Sequence, residues 1–330
     1  MTYRNLIRVS TLAIFAVTTL LAQNKTAWKT PRTADGHPDL QGIWNNSTRT
    51  PLERPPEFSG KATVTDADAK DWEQKEHQAW QDLDGTSEGP LHKTKGSEGT
   101  GAYNVLFYDM GSGLARVDGV KRTSMVVDPP DGKIPPVVQQ ARERNRAAAA
   151  ARAANAGNVK DHGLSERCIF VSMSGPPMLP TLYNNNYQIV QTPDAILILA
   201  EEIHDIRIVR MNAQHLPPEI RRWFGDSVGR WEGDTLVVET TNFSDQTRFR
   251  GSSKDLKVTE RFTRVDANNI VYKATMEDPS TWTKPWTVEL PFVAAPGPIY
   301  EYACHEGNYA LADILAGARK AEAENADHKK

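Results

Sequence analysis

A chain of 330 residues, 39% hydrophobic and 25% charged, has ample apolar content for one large folded unit or two modest ones. Its formal net charge of −3, from 39 Lys and Arg against 42 Asp and Glu, lacks the basic excess of a nucleic-acid binder.

The first segment reads as a targeting signal over residues 1–22. Arg4 and Arg8 give a positive start, Val9 to Leu21 is mostly apolar, and Leu20-Leu21-Ala22 offers a cleavage site. The apolar run is short for a membrane span, and no Cys stands near the site to accept a lipid. A retained N-terminal anchor is the alternative. The expectation is a periplasmic or secreted protein with no stable membrane insertion once the signal is removed.

Residues 23–166 read as short strands, loops and helices. Asp35 to Trp44 is a Gly/Pro turn entering a strand, and Pro51 to Gly60 is a Pro-rich loop. Thr65 or Asp66 caps a helix running to about Leu83. Asp84 to Thr100 is a Gly/Ser/charge-rich segment. Tyr103–Tyr108 and Thr123–Val127 read as strands. Val137 to Ala156, rich in Ala and Arg, is a helix closed by Gly157. Its arginines suit either an anionic partner or a solvated helix face.

From residue 167 onward the pattern turns to strands: Tyr187–Gln191, Ala195–Met211, Thr235–Asn242, Leu256–Thr263, Ile270–Met276, Trp286–Phe292 and Ile299–His305. Turn chemistry such as Glu232-Gly233-Asp234 separates them. The fold class is mainly β with peripheral helices, an antiparallel, lipocalin-like barrel or curled sheet sandwich. A helix from Tyr309 to Glu324 follows. There is no internal repeat or glycine-rich phosphate loop.

Candidate chemistry comes from ionisable residues on apolar strand faces. Strand side chains alternate faces, so Glu260 shares a face with Leu256, Val258 and Phe262. A carboxylate there needs a partner, a proton or a pocket. If Ala195–Met211 is one long strand or a strand pair with its alternation unbroken, Glu202 and His204 lie on the face of Ile196, Ile198, Ile206 and Ile208, with Asp205 and Arg207 opposite. His204 suits proton transfer, since an imidazole titrates near neutrality. His305 and Glu306 are expected at a strand end, lining a pocket, with Asn308 as a pocket residue or helix cap. His204, Glu260 and His305 would match a catalytic metal set, but no His-x-x-x-His spacing accompanies them. No cofactor is expected; a divalent metal is the alternative.

Trp223, Phe224, Trp231, Trp282 and Trp286 are the aromatic surface or core elements of this half. Trp231, Trp282 and Trp286 are candidate substrate contacts, with Arg207 and Arg261 to steady an anionic group. Cys168 and Cys304 are the only cysteines. An exported chain favours a disulfide between them over two buried thiols or a nucleophilic Cys304 beside His305.

Asp35-Gly36-His37-Pro38-Asp39-Leu40-Gln41-Gly42-Ile43-Trp44 resembles the opening of a large family of secreted bacterial proteins. The stretch from Gly225 to Val238, the loop from Asp278 to Thr287 and Cys304-His305-Glu306-Gly307-Asn308 are similar to it too. That family carries no assigned function, so the resemblance implies export and transfers no site residue.

Two functions fit these residues. One is an exported hydrolase, lyase or isomerase working by acid–base chemistry on a small carbohydrate or an aromatic or amphipathic substrate. His204, Glu260, His305 and Glu306 would be its proton carriers. The other is a calyx whose inward polar groups only orient a small ligand. The oligomeric state is open.

Overall fold

The computed structural model describes residues 28–82, 108–171 and 174–327. The segment expected as a targeting signal, the strand expected from Tyr103 and the segment from Asp84 to Thr100 lie outside the described residues.

In chain order the strands are β1 (Gly42–Asn45), β2 (Thr63–Val64), β3 (Arg116–Val117), β4 (Val120–Arg122), β5 (Val126–Asp128) and β6 (Asn186–Gln191). There follow β7 (Ala195–Ala200), β8 (Ile206–Met211), β9 (Asp226–Glu232), β10 (Thr235–Thr241), β11 (Lys257–Arg264), β12 (Asn269–Glu277) and β13 (Trp286–Ala294). Helices α1 (Asp66–Asp82), α2 (Gln139–Ala154) and α3 (Ala310–Asp327) lie outside the sheet.

β1 and β6 to β13 form a closed ring of nine strands, sealed where Trp44 pairs with Ala294. β5 adds to β13 beside that seam. The barrel is mixed, not purely antiparallel, because β8 and β9 run parallel. Parity requires this. A closed ring reverses direction an even number of times, so nine strands must include a parallel neighbour. β1 and β5 come from the N-terminal half, so the sheet crosses the division expected near residue 166.

The interior is filled. Trp44, Tyr187, Ile189, Val258, Phe262, Tyr272, Leu290 and Phe292 are almost fully buried, as strict alternation along their strands requires. Tyr272 stacks at 5.0 Å from Phe292 and 5.0 Å from Phe262, tilted in both cases. Each such side chain contributes about 1.5–3 kcal/mol by leaving water. A ligand inside the barrel would have to displace these rings.

One end is closed by the N-terminal segment. His37 stacks on Trp231 at 5.0 Å with an interplanar angle of 8°. Arg32 pairs with Asp234 at 2.7 Å, and Arg264 donates to the Asp39 carbonyl at 2.6 Å. The other end carries the β7–β8 turn, the loops 155–171 and 174–185 and the Cys168–Cys304 disulfide. β2, β3 and β4 form a separate small sheet whose core, Phe58, Val64, Ala69 and Leu114, packs with Trp72 of α1.

Three sequence expectations change. Of the two alternatives for Ala195–Met211 the strand pair is the one formed, a hairpin, and its turn places Ile203 and His204 in the left-handed region at φ 64° and 47°. The turn reverses the expected faces: Ile206 and Ile208 point out, while Arg207 and Val209 point in. Residues 299–305 form no strand. Asp226–Glu232, absent from the strands expected from the sequence, is strand β9.

Candidate functional site

Glu260 is fully buried, on the face its alternation predicts. It is satisfied there. Arg207 Nη1 donates to its Oε2 at 2.5 Å and Nη2 to its Oε1 at 3.1 Å, and the Tyr272 hydroxyl donates to Oε1 at 2.9 Å. The Met178 N–H in turn donates to the Tyr272 oxygen at 2.8 Å. Burial, then the Glu260 charge, pushes the Tyr272 phenol well up, so it stays a donor. Arg207 therefore serves as an internal counter-ion to Glu260.

Glu202 is the second inward carboxyl, at the disulfide end. Burial pushes it up, against the Ser174 hydroxyl, which donates to Oε2 at 2.8 Å, and Thr181. His204 is exposed at the tip of the β7–β8 turn, and His305 and Glu306 are exposed on the chain leading to α3. Among the described residues no hydrogen bond or ion pair joins His204, Glu260, His305 and Glu306, and no group of three or more His, Cys, Asp or Glu is arranged to hold a metal.

The aromatic candidates also take structural places. Trp282 and Trp286 are buried and meet edge to face at 5.5 Å. Asp278 holds their loop by accepting from Ser253 N–H, the Ser280 hydroxyl and the Thr281 hydroxyl. Trp231 is covered by His37 at the opposite end. Arg261 lies on the outer face, paired with Glu232 at 2.8 Å. Asn308 donates to Cys168 Sγ at 3.4 Å, beside the disulfide that joins the chain before α3 to the 163–171 loop.

The site the structure assembles instead lies outside the barrel, at the disulfide end. A cleft of about 540 Å3 opens between α2, the loop 160–167 and the turn 245–248, with Trp223 in its wall. That volume suits a small molecule. Arg152 enters from the last turn of α2, and Lys160 and Arg167 from the loop. Among the described residues no side-chain hydrogen bond or ion pair neutralises these three. Arg248 adds a fourth cation, with only its Nε bonded, to the Asp245 carbonyl at 3.1 Å. Asp161 and Asp245 are the acidic residues of the lining.

His162 also faces this cleft. Its Nε2 lies 2.8 Å from the Ala156 carbonyl and its Nδ1 3.2 Å from Glu166. Both ring nitrogens are engaged, so the imidazole is positioned but offers no free nitrogen to a substrate.

Sequence reasoning reaches two parts of this cleft, the arginines of α2 and Trp223, without joining them. The parts lie far apart in the chain and meet only through the fold. No protein-family model, curated protein or solved structure matches the chain.

Proposed function

We propose that this is an exported binding protein for an anionic, partly apolar small molecule, held against Trp223 between α2 and the 160–167 loop. The observation that carries the reading is the set of Arg152, Lys160 and Arg167, unpaired cations around one tryptophan in a cleft of about 540 Å3. Cations left without partners attract a carboxylate, sulfate or phosphate, and the indole face adds an apolar contact. The Cys168–Cys304 disulfide and the motifs similar to secreted bacterial proteins support an oxidising, exported setting. No described helix is long and apolar enough to cross a membrane. Binding is favoured over acid–base catalysis because the expected proton carriers are separated, paired or both.

Calorimetry with 2-naphthoate and with its neutral alcohol analogue tests this. The acid is expected to bind and the alcohol to bind far more weakly. Arg167→Glu should cost about tenfold or more, the worth of one charge-assisted contact. Trp223→Ala should cost about 0.5–1.5 kcal/mol of aromatic contact. Equal binding of acid and alcohol, or no effect of Arg167→Glu, would refute the reading.

A further inference from the structure

The barrel wall has a gap on one side of β8. β7 pairs along β8 from Ile206 to Arg210, whereas β9 joins it only at Val209, Arg210 and Met211. The Met211 N–H bonds the Asp194 carbonyl, and the Ala200 N–H bonds the Asp205 carbonyl, so odd-numbered residues direct their backbone groups to β7. Even-numbered residues direct theirs the other way, as the bond from Asn212 N–H to the Gly229 carbonyl shows. At Ile206 and Ile208 that direction holds no strand among the described residues. It opens into a cleft of about 510 Å3 between residues 205–208 and the segment 221–225.

We propose that this edge takes an extended acidic peptide segment by strand addition. The Ile206 N–H and C=O and the Ile208 N–H form a short ladder with no strand opposite, which is what an added strand pairs with. Ile206 and Ile208 are 54% and 55% exposed and offer apolar contact to alternate side chains of the incoming segment. The acidic preference follows from the far wall. Arg222 is exposed there, and no side-chain hydrogen bond or ion pair of its own is found among the described residues. Arg221 beside it is anchored on the Phe243 and Lys254 carbonyls and pairs with Asp255 at 3.7 Å, and among the described residues Asp205 is the sole carboxylate of the lining. Trp223 and Phe224 wall the cleft, so a single extended chain fits it better than the sheet of a second copy. This is a different site from the small-anion cleft, although Trp223 borders both.

The test uses a capped hexapeptide of alternating Val and Glu, its Val/Lys counterpart and its fully N-methylated form. Calorimetry and amide exchange at Ile206 and Ile208 are read on the whole protein. The Val/Glu peptide is expected to bind with a Kd tighter than about 1 mM and to protect both amides. The Val/Lys and N-methylated peptides should not bind, and Arg222→Glu should weaken binding about tenfold. Ile206→Pro should abolish binding, since it removes a donor that faces the gap while the bonds to β7 remain. If that variant does not fold, the N-methylated peptide still asks the same question. Equal binding of the N-methylated peptide, or no binding of the Val/Glu peptide, would overturn the proposal. So would amides already protected because the chain pairs with its own copy. Arg167→Glu should leave peptide binding unchanged, which separates this test from that of the small-anion site.

Discussion

Removing one partner of the Arg207–Glu260 pair should cost far more than removing both. The two side chains are 5% and 0% exposed and meet in a two-pronged contact at 2.5 and 3.1 Å. Glu260→Leu leaves a guanidinium in the barrel interior with no counter-charge, and frees the Tyr272 hydroxyl of its acceptor. Breaking a buried pair in this way costs about 3–5 kcal/mol. At roughly 2–4 °C per kcal/mol for a large domain, the melting temperature should fall by about 6–20 °C. Arg207→Met alone should cost a similar amount, because it strands the carboxylate. The double variant removes both charges and leaves apolar volume among Val258, Phe262 and Phe292, so it should recover most of the loss or exceed wild type. Urea unfolding at pH 7 of wild type, both single variants and the double variant gives the cycle. Additive losses would refute the claim that Arg207 acts as the counter-ion of Glu260. A harmless Glu260→Leu would remove the pair's structural role altogether.

The remaining expectations follow from single contacts. Glu202 is pushed up by burial, so its contribution to stability is full below its unfolded value of 4.5 and is lost as pH rises through the folded value. Glu202→Gln should therefore raise the melting temperature at pH 8 and change it little at pH 4; no difference between the two would count against the burial argument. Asp278 behaves oppositely. Burial raises its carboxyl, but the Ser253 N–H and the Thr281 and Ser280 groups outweigh this and hold it below 3.8. Its contribution is present above that value and lost as pH falls through the folded one, so Asp278→Asn should flatten the acid limb of a stability–pH curve. The disulfide spans a sequence separation of 136. The paired Cys168→Ser and Cys304→Ser variant should lose about 4–5 kcal/mol in the chain-entropy model, read by urea unfolding.

Much of the barrel was legible because alternation is a local signal. Leu256–Phe262 placed Glu260 inward correctly, and the turn residues marked most hairpins. The change of phase across the β7–β8 turn was not legible. That turn places Ile203 and His204, neither of them Gly, Asn nor Asp, at positive φ, so no turn residue announced it at those positions. The expected faces of Ile206, Arg207 and Ile208 were inverted as a result, which hid Arg207 as the partner of Glu260. Residues 299–305 failed for the converse reason. They alternate like a strand, but no strand among the described residues pairs with them; the Tyr300 N–H bonds Glu201 Oε1 instead.

The motifs that make the sequence distinctive turn out to hold the fold together. The Asp35–Trp44 stretch supplies His37 to stack on Trp231 of β9. Asp278 ties the Trp282 loop to Ser253, and Cys304 anchors the chain before α3 to Cys168. Each pins a loop or terminus that lacks ladder hydrogen bonds of its own, which calls for a specific side chain rather than a general apolar pattern. Such residues are expected in any chain with this architecture, whatever it binds. The unpaired cations at Arg152, Lys160 and Arg167 do no comparable structural work, since no contact in the described residues uses their charge. Ligand selectivity should therefore follow the chemistry of these cations and not that of the motifs. His37→Ala should cost about 0.5–1.5 kcal/mol of stability and leave 2-naphthoate affinity unchanged, while Arg167→Glu should do the reverse. A loss of affinity in His37→Ala with the melting temperature intact would place the binding face at the wrong end of the barrel.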